Sequence, residues 1–199
     1  MTDSSFFSSA LELRLPDPHP LHERLVEDAA RRGLLDVAYC TADTPVGSLL
    51  LAATEQGLVK VAFDRQDHDA VLAELAAAIS PRILRARSRL EPVLRQLDEY
   101  FGGERHTFDV PLDFRLARGF RRAVLDHLPA IAYGHTESYA QVAAAAGSPK
   151  AVRAVGTACA LNPLPVVVPC HRVVRSDGSY GQYAGGEEAK RVLLTMEAA

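Results

Sequence analysis

The hydrophobic pattern divides the chain into a strand-rich stretch followed by a helix-rich one. Short β-branched and apolar runs separated by tight polar turns predict an antiparallel meander, with strands at 36–41, 47–53 and 57–64 and a further strand at 108–112. Apolar residues at helical spacing predict helices at 21–32, 69–79 and 89–101. This order of elements predicts an α+β protein.

Beyond residue 114 the pattern is helical. A helix is predicted at 119–128, followed by two short helices at 138–147 and 150–161 across a glycine-containing turn. Ser138 is the predicted N-cap of the first short helix, and Ser148 with Pro149 is predicted to open the second. The pair forms a helix-turn-helix, which is common in helical cores and does not by itself establish DNA binding.

One apolar run carries reactive side chains. Residues 166–174 read Val-Val-Val-Pro-Cys-His-Arg-Val-Val, which predicts a short buried strand that presents Cys170 and His171. Cysteine is among the most buried residue types and histidine also occurs as a satisfied core group. The residue types alone therefore leave two interpretations open, a packed thiol and a catalytic nucleophile.

Composition narrows the class of protein. With 199 residues, 48% of them hydrophobic and 24% charged, the chain has the composition of an ordinary globular protein. No stretch approaches the roughly 20 apolar residues of a membrane span, and the N-terminus lacks the features of a secretory signal. The 3 cysteines are odd in number and contain no CxxC pair, which argues against a disulfide framework or a cysteine-rich zinc site. We therefore expect a cytoplasmic protein with free thiols.

Charge and side-chain size add a hint of nucleic-acid binding. Residues 1–114 carry 12 basic against 19 acidic side chains, whereas residues 115–199 carry 10 against 6. A helix that reads bases in the major groove usually carries several long polar side chains. The helix predicted at 150–161 has small residues and a single arginine, Arg153, near its start. Such a surface fits either a neighbouring helix or a narrow groove into which Arg153 could be wedged.

These residues together resemble the O6-alkylguanine-DNA alkyltransferase family. The resemblance rests on Asn162 to Val174 with its Pro-Cys-His-Arg core, on Ser138-Tyr139, on residues 151–156, and on Gly181 to Glu197. It implies a ribonuclease H-like N-terminal domain at 34–114, with a small antiparallel sheet and helices. It also implies a mostly helical C-terminal domain at 115–199, with a helix-turn-helix and a short active-site strand. Residues 1–33 would be an N-terminal extension, partly disordered.

The resemblance implies an activity and a role for each matching residue. The family flips O6-alkylguanine out of duplex DNA and transfers the alkyl group irreversibly to its own cysteine, so each molecule reacts once. Cys170 would be the nucleophile, His171 the base acting through a water, and Glu197 the carboxylate that orients His171. Tyr139 would donate a proton to the leaving guanine, and Asn162 would brace the site.

The resemblance also implies binding residues. Arg153 would fill the place of the flipped nucleotide, and the remaining DNA contacts would come from Ser138, Lys150, Ala154, Gly156 and Arg172. The alkylated base would be enclosed by a lid and by the residue behind the cysteine, namely Tyr183, Ala184, Gly185 and Val168. No cofactor, no metal site, no membrane contact and no obligate protein partner are expected, and the protein is expected to act as a monomer.

Departures from the family pattern and two alternatives remain. Arg121 and Leu125 replace the usual glutamine and tryptophan, and Ala184 lacks the hydroxyl that some members carry there. One alternative is a non-catalytic module that recognises alkylated bases, as the alkyltransferase-like proteins do, but those replace the nucleophile that is present here as Cys170. The other is a cysteine hydrolase, which is disfavoured because adjacent residues on one strand rarely face each other as nucleophile and base.

Overall fold

The computed structural model describes residues 18–198. The N-terminal part contains a four-stranded sheet and three α-helices, in the order α1 (Pro18–Arg31), β1 (Val37–Thr44), β2 (Gly47–Thr54), β3 (Gly57–Phe63), α2 (His68–Ala78), β4 (Ile83–Arg85) and α3 (Glu91–Phe101). The C-terminal part is mostly helical, in the order α4 (Phe120–His127), β5 (Glu137–Ser138), α5 (Tyr139–Ala145), α6 (Val152–Ala160), β6 (Val173–Val174) and α7 (Gly186–Glu197). The predicted α+β class is confirmed. The expectation of disorder in the N-terminal arm falls mostly on residues outside the described range.

The sheet is mixed rather than purely antiparallel. Its strand order is β3-β2-β1-β4, and the three-stranded meander is antiparallel, as predicted. Strand β4 was not predicted and pairs with β1 in parallel, Val37 opposite Ile83. Its three residues lie in an arginine-rich segment whose sequence predicts a solvated loop. Two of the three are apolar, which is too short an apolar run to indicate a strand. The strand predicted at 108–112 is reduced to a single bridge between Leu58 and Leu112.

Edge strand β3 links the two parts of the molecule. Its Leu58 N–H donates to the carbonyl of Pro111 at 2.8 Å, and its Val61 N–H donates to the carbonyl of Pro163 at 2.7 Å. Pro163 opens the turn that leads to Cys170. One hydrophobic core runs through both parts and includes Leu51 of the sheet and Val167 beside the cysteine. The sheet therefore supports the reactive segment directly, because an edge strand has free backbone groups to offer.

The helix-turn-helix is formed by α5 and α6, as predicted, but the start of its second helix differs. Ser138 caps α5 in a capping box, in which its hydroxyl and the Gln141 side chain satisfy each other's backbone N–H groups. Helix α6 begins only at Val152, so the predicted cap at Ser148 is wrong. Ser148 instead closes a turn by accepting the N–H of Ala151 at 2.8 Å. Within residues 18–198, no helix has the length and apolar character needed to cross a membrane.

Candidate active site

Cys170 lies in a single 3-10 turn, Cys170–Arg172, instead of the predicted strand. Only Val173 and Val174 are extended, and they pair in parallel with β5. The backbone cannot run straight through this segment because Val166 has a φ of 73°, a left-handed conformation that a β-branched residue rarely adopts. In a 3-10 turn successive side chains project about 120° apart, so the strand-based objection to adjacent nucleophile and base does not apply.

Asn162 holds the turn and the thiol together. Its Oδ1 accepts the N–H of Leu164 at 2.9 Å, and its Nδ2 donates to the carbonyl of Val168 at 2.9 Å and to Cys170 Sγ at 3.1 Å. All polar atoms of this buried amide are thereby engaged, and the strained turn is fixed at three points. The bracing role that the resemblance implies for Asn162 is consistent with this geometry, and Val168 lies fully buried behind the cysteine.

The thiol of Cys170 is protonated in the resting protein. Only 1% of the residue is exposed, and burial raises its pKa to about 11, although the Asn162 hydrogen bond and the Lys190 charge oppose that rise. With such a pKa the thiol is almost entirely protonated at neutral pH. The reactive form is the thiolate, so Cys170 needs a base.

Glu197, near the end of α7, is the hub of a buried hydrogen-bond network. Its Oε1 accepts from Tyr100 Oη at 2.5 Å, from Arg172 Nη2 at 2.9 Å and from His171 Nε2 at 2.9 Å. Its Oε2 accepts from Arg172 Nε at 2.9 Å and from the N–H of Gly134 at 3.4 Å. Burial opposes ionisation of this carboxyl, but the hydrogen bonds from His171, Arg172 and Tyr100 outweigh it and lower its pKa to about 2.

The network fixes the protonation state of His171. Burial lowers the pKa of its ring, and the opposing interaction with Glu197 does not overcome that effect, so the imidazole is neutral. An ionised carboxylate can only accept hydrogen bonds, so Nε2 of His171 must carry the proton that it shares with Glu197. Its Nδ1 is then a lone-pair acceptor. The buried His171 is therefore poised to take a proton.

Arg172 does not fit the DNA contact implied by the resemblance. Its side chain is buried, and besides its two bonds to Glu197 it donates from Nη1 to the carbonyl of Ile131 at 2.6 Å. A guanidinium committed in this way cannot reach a phosphate on the surface. Arg172 instead neutralises the buried Glu197, because a fork of N–H groups matches a carboxylate in two-point contact.

The lid segment, residues 183–186, packs against the sheet. The ring of Tyr183 meets that of Phe63 edge-on, with centroids 5.5 Å apart. A Cβ atom at Gly185 would stand 2.6 Å from the Phe63 ring, and one at Gly181 would stand 2.0 Å from the Tyr139 hydroxyl. Only glycine permits these approaches. Ala184 lies beside them, and a cavity of about 720 Å³ opens between this segment, the end of α6 and Arg65.

Comparisons with known proteins identify the family. The ribonuclease-like domain of 6-O-methylguanine DNA methyltransferase matches residues 37–114, and its DNA binding domain matches residues 119–199. The constitutive methylated-DNA–protein-cysteine methyltransferase of Bacillus subtilis is 39% identical over 160 residues, which cover 80% of this chain and 94% of the relative. The chain belongs to the O6-methylguanine DNA methyltransferase family.

Solved structures of the family have the same fold. The crystal structure of the Mycobacterium tuberculosis O6-methylguanine methyltransferase is 36% identical and superposes with a TM-score of 0.72, covering 81% of this chain and 93% of that one. The same enzyme in complex with DNA gives 35% identity, a TM-score of 0.70 and coverages of 81% and 92%. The present protein is thus a methylated-DNA–protein-cysteine methyltransferase, a DNA repair protein that binds DNA.

Helix α6 presents mostly small side chains to solvent. Arg153, Ala154 and Lys150 are exposed, and Gly156 is half-buried beneath the ring of Tyr139. Among residues 18–198 the Arg153 side chain has no hydrogen-bond or ion-pair partner, so its guanidinium is available. Ser138 is half-buried, and its hydroxyl is engaged by Gln141 at 2.7 Å.

Three residues that act at the site were given no role from sequence. Tyr100 bonds Glu197 from 97 positions away, which no local pattern signals. Lys190 is fully buried and donates to the carbonyl of Val173 at 2.5 Å, and burial lowers its pKa. Lys190 is part of the family resemblance, but its burial was not predicted because a lysine on a helix normally indicates a solvent-exposed face. Phe63 reads as an ordinary strand residue, yet it supports the lid segment.

The free energy of unfolding should decrease in two stages as the pH is lowered. His171 has a pKa below its ordinary 6.5 in the folded protein, so its contribution is complete above pH 6.5 and is lost as pH falls below that value. Glu197 has a folded pKa of about 2 against an ordinary 4.5, so its contribution is complete above pH 4.5 and is lost between 4.5 and 2. Urea unfolding between pH 8 and 2.5 measures this. Unfolding free energy that stays constant from pH 6.5 to 3 would contradict both assignments.

Proposed function

We propose that the protein takes the alkyl group from O6-alkylguanine in duplex DNA onto Cys170 and keeps it. One observation supports it most: the buried Cys170 shares a 3-10 turn with His171, whose Nε2 is hydrogen-bonded to Glu197 at 2.9 Å. A thioether has no labile bond for the neighbouring groups to hydrolyse, so each molecule acts once. A cysteine hydrolase is not favoured, because its acyl intermediate would have to be released by water at every turnover.

The proton of the thiol would leave through His171. A water takes the proton from Cys170 Sγ and passes one of its own to Nδ1, while Nε2 remains hydrogen-bonded to Glu197. The imidazolium that forms is stabilised by the ionised Glu197. Arg172 and Tyr100 hold that carboxylate in place before the reaction, so no free energy is needed to orient it during the proton transfer.

The transfer itself is a displacement at the alkyl carbon. Sγ of Cys170 attacks the alkyl carbon, the S–C bond forms, and the bond from that carbon to guanine O6 breaks with its electron pair left on the guanine. Tyr139 would give a proton to the guanine and would then regain one from solvent; its hydroxyl lies against Gly181, a residue that lines the cavity beside the lid segment. Burial and the nearby thiols raise the pKa of Tyr139, so its hydroxyl arrives protonated.

DNA would be held by the surface of α6. Its small side chains allow close approach to the minor groove, and the free guanidinium of Arg153 could occupy the stack after the nucleotide has flipped. Lys150 would contact phosphate, and Ala154 and Gly156 would line the groove. The flipped base would then lie below Tyr183, Ala184 and Gly185, in front of Val168.

Intact mass spectrometry tests the proposal. Incubation with a duplex containing O6-methylguanine should add about 14 Da, because a methyl group replaces the thiol proton, and peptide mapping should locate it on Cys170. The amount of modified protein should equal the amount of repaired base. Tight binding without a mass change would favour the recognition module, and repair of many bases per molecule would exclude the single-use mechanism.

Arg153→Ala should weaken repair in duplex DNA by roughly tenfold or more, because stabilisation of the flipped state is lost. The same variant should react with free O6-methylguanine base at the wild-type rate, since a free base needs no flipping. The exposed neighbour Lys150 provides a control. Lys150→Ala should weaken binding to duplexes with and without the lesion equally, as expected for a phosphate contact. Equal losses on duplex and free base in Arg153→Ala would refute the role of Arg153.

A further inference from the structure

Two polar atoms in the interior of the site have no hydrogen-bond partner within residues 18–198. They are Nδ1 of His171 and the hydroxyl oxygen of Tyr183, which lies near the backbone of Val166 without a hydrogen bond of normal geometry to it. His171 has no exposed surface and Tyr183 has 8%. A buried polar group without a partner is costly and rare in folded proteins, so each such atom requires an explanation.

The two atoms belong to rings that face each other. The centroids of His171 and Tyr183 lie 6.3 Å apart, with their planes at 85°. Nε2 of His171 is committed to Glu197, so only Nδ1 is left for the nucleophile. Burial, and after it the charge of a Cys170 thiolate, raise the pKa of Tyr183, so its hydroxyl keeps its proton at this site.

Tyr183 is held rigidly in this place. Phe63 meets its ring from the sheet, and the Phe63 ring in turn packs against Gly185 at a distance that no other residue would allow. The Gly186 N–H donates to the carbonyl of Tyr183 at 2.9 Å and closes the turn into α7. A tyrosine fixed on both sides is better suited to position a small ligand than a mobile lid residue is.

We propose that Tyr183 is a positioning residue for the proton transfer, and that its hydroxyl binds the water that connects Cys170 Sγ with His171 Nδ1. The inference rests on the proposed transfer to Cys170. The water accepts the thiol proton and donates one of its own to Nδ1, while the tyrosine keeps its proton throughout. A water needs two to four polar partners to be ordered, and these three side chains supply them.

Charged and titratable groups surround this relay on several elements. Tyr183 faces Cys170 and His171 in the 3-10 turn, Tyr100 on α3 and Glu197 on α7. Cys170 is further influenced by Lys190 on α7 and by Cys159 on α6. Removal of the Tyr183 hydroxyl leaves all of these groups in place, so its effect on a pH profile can be assigned to the hydroxyl.

The test is Tyr183→Phe, which removes one oxygen and keeps the ring contacts. Two rates should be measured between pH 6 and 9.5, that of methyl transfer from an O6-methylguanine duplex and that of Cys170 modification by iodoacetamide, located by peptide mapping. At pH 7 both should fall by roughly tenfold, a fraction of what a general base contributes. The gap should narrow to about twofold at pH 9.5, where hydroxide can deprotonate the thiol without the relay.

Phe63→Leu serves as the matched control, because it loosens the packing of Tyr183 without removing a polar atom. Phe63→Leu should lower both rates by a similar factor at every pH. An unchanged rate and profile in Tyr183→Phe, or a loss of equal size at all pH values, would overturn the positioning role. The iodoacetamide arm separates the two proposals, since it reports on the relay even if no methyl group is transferred from DNA.

Discussion

Cys170→Ser is expected to abolish alkyl transfer and to leave binding to O6-methylguanine duplexes intact. The serine hydroxyl is far harder to deprotonate than a thiol and is a much weaker nucleophile towards carbon. We expect the rate to fall by at least about a thousandfold, as is usual when a covalent nucleophile is removed. The mass of the variant should stay constant during incubation with the damaged duplex, whereas a gel-shift titration should match that of the wild type.

The chain offers a matched control in Cys159, which lies in the same hydrophobic core and is 3% exposed. Burial raises the pKa of this thiol far above its ordinary value, and among the described residues no base contacts it. Cys159→Ser should therefore retain stoichiometric transfer to Cys170. Methyl transfer in Cys170→Ser, or a methyl group found on Cys159 in the wild type, would contradict the assignment of the nucleophile.

Glu197→Gln is expected to reduce both stability and activity. The substitution preserves size but leaves Arg172 as a buried cation without a counter-charge, and it places an amide N–H among groups that already donate. Breaking a buried ion pair on one side typically costs about 3–5 kcal/mol of unfolding free energy. Because His171 also loses its orienting partner, transfer should slow by roughly 10²–10⁴-fold, the range that a general base contributes. Urea unfolding and single-turnover methyl transfer measure the two effects.

Glu188 lies on the same helix and provides the comparison. It pairs with Arg191 across one turn of α7, but 73% of its side chain is exposed. Glu188→Gln should change the unfolding free energy by less than about 1 kcal/mol and should leave transfer unchanged, because exposed ion pairs contribute little. If Glu197→Gln behaved like this control, the carboxylate would not be the hub of the site.

The chemistry of the site could be predicted from the sequence better than its geometry. Cys170, His171 and Glu197 were identified by residue type and resemblance, and the structure places His171 and Glu197 in contact. The strand predicted through Cys170 was wrong, because β-branched residues favour extended backbone, whereas tertiary contacts impose a positive φ on Val166. Local propensity cannot anticipate a conformation that distant residues enforce.

Residues that act through burial were the hardest to predict. Arg172 was expected to contact DNA, and nothing in the sequence around it indicates that it pairs with a carboxylate 25 positions away. Tyr100 and Phe63 carry apolar rings that satisfy the core pattern equally well without any role at the site. The short parallel strand β4 escaped prediction for a related reason, since three residues are too few to show a period.

The position of Glu197 in the chain ties reactivity to the completion of folding. During synthesis the ribosome adds the nucleophile 27 residues, and the base 26 residues, before the carboxylate that orients the base. A nascent or truncated chain that lacks α7 therefore contains a cysteine without an activated partner. The relay that takes the proton from Cys170 is therefore complete only when this last helix has docked. In the proposed single-use mechanism, the nucleophile and its base are thus made before the carboxylate that orients the base.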